Sequence, residues 1–501
     1  MTLCSAALLA VLLAPVAASA ADAGVTRWRQ AHEAAITGQL ASMVQIESVA
    51  ANPAGLAQQA DSLVAALAAR GFAARLLPVA GGPPLVFGAL DTPGARRTIV
   101  FYAHYDGQPV KPADWATPPF TPVLRAGTLD KPIVAAPASG RLDPEIRLFG
   151  RAASDDKASI IAFLAAFDAL KATGRKPAIN IRIAWEGEEE VGSPHLEAAV
   201  TAYRDLLKSD LWLIGDGPVH QSRRPTISFG ARGVMGLDMT VYGPVRALHD
   251  GHYGNWVPNP AAMAANLVAA MRDDDGNILI PGFADDVRAL TPAESAAIAA
   301  LPPVDAALMA EFGIARHEGA DGLTLATMRP ALNVRGLRAG GTGSTAANAI
   351  PTEAEVSIDF RLVPGQTPER VRAKVEAFLA ARGWTLVSAA PDMATRLASP
   401  RLVRLAWQGG YPGLRSDMSD AAGRAVIAAA SAAAGAQVLT VPMEGGSVPI
   451  YIFDRLFGVP IISLPIANHD NSQHAANENL RLQNLWDGID AYAAMLTRLD
   501  W

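Results

Sequence analysis

Cysteine is almost absent from this sequence, which contains a single residue of that type among 501. That residue, Cys4, lies in the apolar N-terminal segment, so the rest of the chain has no thiol. Disulfide bonds, cysteine nucleophiles and thiolate metal ligands are therefore excluded from the rest of the chain. Any metal ion there must be held by histidine and carboxylate side chains, which suit zinc, manganese or cobalt.

A large excess of charge of either sign is also lacking. Lys and Arg number 42 against 48 Asp and Glu, which gives a net charge of -6. The sequence contains neither a basic stripe nor a block of like charge, which are the usual marks of a chain that binds the phosphates of nucleic acid. Nucleic acid is therefore not an expected partner.

Long hydrophobic runs are lacking as well. The N-terminal apolar run extends from Ala6 to Val16, which is shorter than the ~20 residues that a membrane span requires. Ala18-Ser19-Ala20 follows it and matches an A-x-A cleavage pattern. We therefore expect residues 1–20 to be a signal peptide, the product to be exported (periplasmic or secreted), and no membrane contact after cleavage. No Lys or Arg precedes the apolar run, and an N-terminal membrane anchor is the alternative interpretation.

The length and the pattern of the chain indicate two domains. A chain of 501 residues is too long for one hydrophobic core. Short apolar strands alternate with helical patterns, which predicts an α/β fold with a mostly parallel sheet flanked by helices. The middle of the chain instead has the pattern of an inserted α+β domain with antiparallel strands. The predicted boundaries are 21–225 and 401–501 for the two parts of the first domain and 226–400 for the inserted one.

Polar clusters follow four predicted strands and precede one predicted helix. The strands are Thr98–Tyr102, Ile179–Trp185, Leu211–Ile214 and Pro460–Pro465, and the helix is Lys157–Leu170. The clusters contain His104 with Asp106, Asp155 with Asp156, the acidic turn EGEEEVGS (186–193), Asp216, and His469 with His474. Because ligands gather at the carboxyl ends of parallel strands, we expect these side chains to form one site.

Each cluster taken alone has a simpler interpretation. The His104 and Asp106 pair fits a satisfied surface pair, and the two aspartates before the helix fit a helix start that favours acids. The acidic turn fits a solvated loop, although its four carboxylates repel one another unless cations neutralise them. Asp216 fits a turn aspartate, and His474 fits a surface histidine. Together, however, the clusters supply two imidazoles and at least three carboxylates, which is a ligand set for a transition metal.

Several motifs occur in the order in which a known enzyme family has them. They are AHYDGQPV, WATPPF, GRAASDDK, EGEEEVGS, LHDGHYG, DFRLVP, EGGSVP and QHAANE. With these motifs the chain resembles the metallopeptidase family of aminoacylase, carnosinase-type dipeptidases, carboxypeptidase G and succinyl-diaminopimelate desuccinylase. WATPPF and EGGSVP are most similar to the dipeptidase branch. The resemblance implies a zinc-exopeptidase-like catalytic domain, an inserted α+β domain that acts in lid movement and dimerisation, and hence a homodimer.

The resemblance also implies which residues hold the metal. Asp155 would bridge two divalent metal ions per chain, with zinc expected and manganese or cobalt as alternatives. His104 and Asp216 would hold one ion, and Glu190 and His474 would hold the other. A cis peptide bond between Asp155 and Asp156 is implied as well.

The remaining roles that the resemblance implies concern catalysis and substrate. Glu189 would be the general base for a metal-bridging water that acts as nucleophile, and Asp106 would orient the first ligand histidine. His249 would stabilise the oxyanion, and in dimeric relatives this histidine comes from the partner subunit. Arg361 would bind the substrate carboxylate, in a pocket that Gly446 and Ser447 would line. The chain departs from the family pattern at Ala152, among other positions, where relatives have glycine.

The predicted function is hydrolysis of an amide bond in dipeptides or short peptides. Relatives with Asp rather than Glu at the position of Asp216 tend to act on free amino ends, which favours a dipeptidase. The alternative is an N-acyl-amino-acid deacylase with the same metal site and an N-acyl amino acid as substrate. A third hypothesis, a catalytically inert peptide-binding protein, is disfavoured because the base Glu189 is present.

Overall fold

The computed structural model describes residues 22–501, so the predicted signal peptide and Cys4 lie outside the described residues. The strands, in chain order, are β1 (Ala73–Leu77), β2 (Leu85–Leu90), β3 (Thr98–His104), β4 (Val123–Arg125), β5 (Ile133–Val134), β6 (Arg147–Phe149), β7 (Asn180–Glu186), β8 (Leu211–Ile214), β9 (Thr226–Ser228), β10 (Gly230–Ala231), β11 (Gly233–Tyr242), β12 (Leu248–His249), β13 (Ala331–Arg338), β14 (Ala349–Ile350), β15 (Glu353–Leu362), β16 (Thr385–Val387), β17 (Leu402–Tyr411), β18 (Leu414–Arg415), β19 (Leu439–Val441), β20 (Ile461–Ser463) and β21 (Asn479–Arg481). The α-helices are α1 (Ala23–Val44), α2 (Pro53–Ala68), α3 (Lys157–Ala172), α4 (Leu196–Ala202), α5 (Asp250–Tyr253), α6 (Pro260–Met271), α7 (Pro292–Ala299), α8 (Asp305–Phe312), α9 (Leu323–Thr327), α10 (Pro368–Ala381), α11 (Met393–Ala398), α12 (Ala421–Ala434), α13 (Tyr451–Phe457) and α14 (Leu482–Arg498).

The largest sheet has eight strands in the order β1-β2-β7-β3-β8-β20-β9-β19. Its centre, β7-β3-β8-β20, is parallel, whereas β1 and β2 add to one edge in antiparallel pairs. Helices cover both faces, as a parallel sheet requires to bury its apolar side chains. The predicted α/β fold with a mainly parallel sheet is therefore confirmed.

The central strands bury side chains on both of their faces. In β3, Ile99 and Phe101 enter the core that includes α3 and α14, whereas Val100 and Tyr102 enter the core on the opposite face. This alternation follows from the two-residue repeat of a strand. On the second face Trp212 of β8 stacks on the ring of Phe453 in α13, with 3.9 Å between the ring centroids. The continuous apolar sequence of these strands is thus explained by burial on two sides.

A second sheet of five strands has the order β13-β15-β11-β17-β16 and is antiparallel except at the β16–β17 edge. Residues of α6 and α10 share a separate hydrophobic core with this sheet. The inserted α+β unit expected from the sequence is therefore present. The strands of this unit do not coincide with the segment 226–400 that we predicted for it. Strand β9, which lies inside that segment, joins the large sheet, and strand β17, which lies after it, joins the second sheet. Strand pairing is a long-range property that composition does not reveal, and the domain boundaries stay a prediction.

A smaller sheet of the order β21-β6-β4-β5 brings two distant loops together. In it β21 pairs antiparallel with β6, with Asn479 opposite Phe149. The loop that ends at β21 contains His474, and the loop that begins after β6 contains Asp155. This pairing therefore places the two loops side by side. Among the helices of residues 22–501, none is both long and apolar enough to span a membrane.

Candidate metal centre and substrate cavity

Four polar loops meet at one edge of the large sheet. His104 is the last residue of β3, Asp216 follows β8, and the acidic turn follows β7. The loop with His474 follows β20, and these four strands are neighbours that run in the same direction. Their carboxyl ends therefore deliver histidine and carboxylate side chains to the same place, as expected for ligand sites of α/β proteins.

Two groups of candidate metal ligands form there. The first contains His104, Asp155 and Asp216, and the second contains Asp155, Glu190 and His474. Within each group the ligand atoms lie within 4.8 Å of one another. Asp155 belongs to both groups, so one carboxylate lies between two adjacent positions that could each hold an ion.

The loop that contains Asp155 is held by a buried carboxylate, Glu478. Its oxygens accept hydrogen bonds from the backbone N–H groups of Ala152, Ser154 and Asp155, at 3.0 to 3.1 Å. Glu478 also forms an ion pair of 2.8 Å with Arg151, and both side chains are buried. Ala152 has a φ of 64°, a conformation that favours glycine, which is the residue that the family resemblance implies at this position. The peptide bond between Asp155 and Asp156 is cis.

Asp106 connects the first ligand histidine to the acidic turn. Its Oδ1 lies 3.3 Å from Nδ1 of His104, whose Nε2 lies 2.9 Å from Asp155 Oδ1. The same carboxylate accepts hydrogen bonds from the backbone N–H groups of Glu189 and Glu190, at 3.2 and 3.0 Å. A carboxylate on the far ring nitrogen fixes the orientation of a ligand histidine. Asp106 thus holds the imidazole and the turn in one arrangement.

Burial makes the carboxylates of this site difficult to ionise together. Burial raises the pKa of Glu190 to about 7 and the pKa of Asp216 to about 6, and in both cases the charge of Asp155 acts in the same direction. Burial likewise raises the pKa of Glu189. For Asp155, burial opposes ionisation, but hydrogen bonds with the two histidines hold the pKa below its usual range.

The residues of the site fit two divalent cations. Within residues 22–501, no Lys or Arg forms an ion pair with Asp155, Glu189, Glu190 or Asp216, whose ion pairs involve only histidine. Several buried carboxylates without a basic partner repel one another, and bound cations remove that cost. Imidazole and carboxylate together suit zinc, manganese or cobalt.

A cavity of about 630 Å³ extends from this site toward the second sheet. Its lining includes Glu189, Asp216 and His474 on one side and Arg361, Gly446 and Ser447 on another. Arg361, on β15, donates from Nε to Asp359 Oδ2 at 2.7 Å and from Nη1 to Ser447 Oγ at 2.8 Å. The structure therefore brings the predicted substrate-binding residues to the same cavity as the candidate metal ligands.

His249 is not part of that cavity within one chain. It lies on β12, and its side chain is 56% exposed and accepts a hydrogen bond from the N–H group of Gly251. Its ring contacts that of His252, the His252 ring contacts Tyr253, and the Tyr253 ring contacts Trp256, which is 80% exposed. The predicted role of this histidine as oxyanion donor stays a prediction.

Comparison with known proteins places the chain in a family. The model of the peptidase family M20/M25/M40 matches residues 100–498. This chain belongs to peptidase family M20/M25/M40. It is accordingly a metallopeptidase of the M20 type, and it is most similar to the dipeptidase branch.

Individual M20 proteins agree in sequence and in fold. The chain is 27% identical over 425 residues to a Cys-Gly metallodipeptidase of Schizosaccharomyces pombe, covering 83% of each chain. It is 24% identical to the Beta-Ala-His dipeptidase of Homo sapiens, covering 83% of this chain and 78% of the relative. An M20 family metallo-carboxypeptidase from Sulfolobus solfataricus has the same fold, with a TM-score of 0.76 and 25% identity over 92% of this chain and 98% of that one.

Several polar residues of the M20 site were not predicted from the sequence. Gln473 donates to Asp155 at 2.6 Å, and Gln108 donates to Glu190 at 2.8 Å. Glu478 accepts hydrogen bonds from the loop of Asp155, while Glu444 and Arg232 line the cavity. Glu478 belongs to the motif QHAANE and Glu444 to the motif EGGSVP. Their position in these motifs was the sequence signal that could have identified them as site residues. Arg232 had no such signal, because its partners lie in a loop more than two hundred residues away.

Replacement of Glu478 by Gln should weaken both the fold and the metal site. Arg151 would become an unpaired buried charge, which costs about 3 to 5 kcal/mol of unfolding free energy. The loop of Asp155 would lose part of its support, so metal affinity should fall about 10- to 100-fold. Thermal unfolding and calorimetric metal titration measure the two effects. Glu145→Gln, which removes an exposed partner of Arg481, is the control and should change stability by less than about 1 kcal/mol. Wild-type metal affinity in Glu478→Gln would contradict the assigned role.

Proposed function

We propose that the protein is an exported dipeptidase that hydrolyses unblocked dipeptides or short peptides with two divalent metal ions, zinc being the metal most typical of its donors. The observation that carries this proposal is the pair of ligand groups that share Asp155, in a cavity that also presents Arg361. The relatives named as Cys-Gly and Beta-Ala-His dipeptidases support a dipeptide substrate. Export is supported by the A-x-A pattern at Ala18-Ser19-Ala20.

The cavity has the size and the charges that a zwitterionic dipeptide needs. Its volume of about 630 Å³ falls within the ~300 to 1,000 Å³ of small-molecule sites. The planar fork of Arg361 suits a substrate carboxylate, with the Ser447 hydroxyl beside it. Near Asp216, the half-buried Glu444 lines the cavity. Burial and the charge of Asp216 raise the pKa of its carboxyl group, and its Oε1 has no hydrogen-bond partner in residues 22–501. That carboxylate is placed to accept a hydrogen bond from a substrate ammonium group.

Glu189 is the residue placed to move protons. It lines the cavity, belongs to neither ligand group, and is fixed through its backbone N–H by Asp106. Bound divalent ions would supply a Lewis acid and a water of lowered pKa. In this arrangement Glu189 takes a proton from the attacking water and returns it to the departing amine. Glu190, the adjacent residue in the chain, belongs to the ligand set instead.

We also propose a homodimer in which His249 enters the site of the partner subunit. Three observations support this: the exposure of His249, its absence from the lining of its own cavity, and the exposed Trp256 at the end of the row of ring contacts that begins at His249. Exposed aromatic residues are enriched at protein interfaces. A histidine from the partner subunit would add a hydrogen-bond donor for the oxyanion.

Glu189→Gln should keep two metal ions per chain and lose hydrolysis. The amide cannot accept a proton, so kcat should fall by about 10²- to 10⁴-fold. Metal content by mass spectrometry and dipeptide hydrolysis by chromatography measure the two properties. Glu190→Gln is the matched control and should lose metal as well as activity. Hydrolysis at the wild-type rate by Glu189→Gln would remove this residue from the mechanism.

Unblocked dipeptides should be better substrates than their N-acetyl counterparts. Loss of the ammonium group removes a charge-assisted hydrogen bond worth ~1.5 to 3 kcal/mol, so kcat/KM should be at least about tenfold lower for the blocked substrate. Glu444→Gln should reduce this difference. If the N-acetyl substrates were cleaved faster, the protein would be a deacylase rather than a dipeptidase.

Two inactive variants should restore activity when mixed. A hybrid dimer of His249→Ala and Glu189→Gln has one site with an intact base and an intact partner histidine. Random exchange of subunits should therefore restore about one quarter of the wild-type rate, because half of the dimers are hybrids with one intact site. The rate is measured after the subunits are dissociated and reassociated together. Each variant alone, treated identically, is the control, and a mixture as inactive as its components would exclude the shared site.

A further inference from the structure

Arg232 is a second arginine in the cavity, and its position is fixed by the backbone. It precedes β11, whose Val234 pairs with Arg361 of β15. Its Nε donates to the carbonyl oxygen of Gly445 at 2.8 Å, and its backbone N–H donates to the carbonyl oxygen of Gly446 at 3.0 Å. Arg232 therefore has a defined place on the loop that also supplies Ser447.

Arg232 has no direct ion-pair partner in the part of the chain that the structure describes. Within residues 22–501 no carboxylate forms an ion pair with it, and its terminal nitrogens make no hydrogen bond, whereas Arg361 is paired with Asp359. Burial lowers the pKa of Arg232 to about 10, and the nearby Arg361 guanidinium acts in the same direction, whereas the carboxylate of Asp359 opposes the shift. This part of the cavity consequently has two guanidinium groups near one carboxylate, and the remaining positive charge, in a partly desolvated place, would be stabilised by an anion.

The two guanidinium groups are held by different partners. Arg361 is fixed by Asp359 and Ser447. By contrast, the Nη2 atom of Arg232 and the Thr327 side chain lie on the same side of Gly445. Arg232 thus faces the wall that α9 contributes to the cavity, where Leu323, Thr324 and Thr327 are lining residues. When one substrate carboxylate binds to Arg361, the guanidinium group of Arg232 remains available to bind a second carboxylate.

We propose that Arg232 binds a second carboxylate of the substrate, so that the enzyme prefers dipeptides whose C-terminal residue is aspartate or glutamate. This inference rests on the proposed dipeptidase function. An arginine fork and a carboxylate form two parallel charge-assisted hydrogen bonds, which favour an acid strongly over its amide. The alternative is that Arg232 and Arg361 both hold the single α-carboxylate, and the two arrangements differ in what they predict for isosteric substrates.

The test compares Ala-Glu with Ala-Gln, which have nearly the same shape and differ in one charge. The wild-type enzyme should have a kcat/KM about 10- to 100-fold higher for Ala-Glu. In Arg232→Gln, the loss should be at least about tenfold larger for Ala-Glu than for Ala-Gln. Arg361→Gln is the matched control and should impair both substrates to a similar degree. Absence of a wild-type preference, or equal losses for both dipeptides in Arg232→Gln, would overturn the proposal.

A binding measurement separates this inference from the proposed function. Calorimetry with the Glu189→Gln protein should show tighter binding of Ala-Glu than of Ala-Gln, and Arg232→Gln in that background should abolish the difference. If the wild-type protein hydrolysed neither dipeptide, the proposed function would fail, while this binding difference would still decide the role of Arg232. Arg232→Lys keeps the charge without the fork and should retain part of the preference. Equal binding of both dipeptides to the Glu189→Gln protein would refute the inference.

Discussion

Repulsion among buried carboxylates is the constraint on which the catalytic part of this structure depends. Asp155, Glu190 and Asp216 lie close together at the end of a parallel sheet without a Lys or Arg partner in the described chain. The surrounding protein supports this arrangement with hydrogen bonds to the loops rather than with counter-charges. Glu478 accepts hydrogen bonds from backbone N–H groups of the Asp155 loop, and Asp106 accepts hydrogen bonds from backbone N–H groups of the acidic turn. The positive charge that would balance the site is left to bound ions, which couples metal binding to the stability of these loops.

The cavity extends this charge separation toward the substrate. Glu189 and Asp216 line the cavity together with the guanidinium groups of Arg232 and Arg361. The proposed substrate, with an ammonium group and one or more carboxylates, has charges opposite to both kinds of group. Arg361 lies on β15 of the second sheet, so the inserted unit would contribute to recognition as well as to architecture.

Much of the fold was predictable because its signals are local. The strand before His104, the helix after Asp156 and the strand before Asp216 were all recognisable from apolar periodicity and from the polar residues that follow. The pairing of β21 with β6, which sets the loops of Asp155 and His474 side by side, was not predictable. Neither was the return of β17 to the second sheet after residue 400. Both pairings join segments that are distant in the sequence, and local propensity contains no information about such partners.

The sequence by itself determined the kinds of donor that any metal site could use, because the chain after Cys4 offers histidine and carboxylate but no thiol. Its motifs also determined the enzyme family. Only the tertiary structure decided that Glu478 supports the loop of Asp155 and that His249 lies outside the cavity of its own chain, whereas the family motifs had already implied His474 rather than His469 as the ligand. It also decided that Arg232 forms no ion pair within residues 22–501. The physical reason is that metal coordination and charge pairing depend on distances of a few ångströms between residues that only folding brings together.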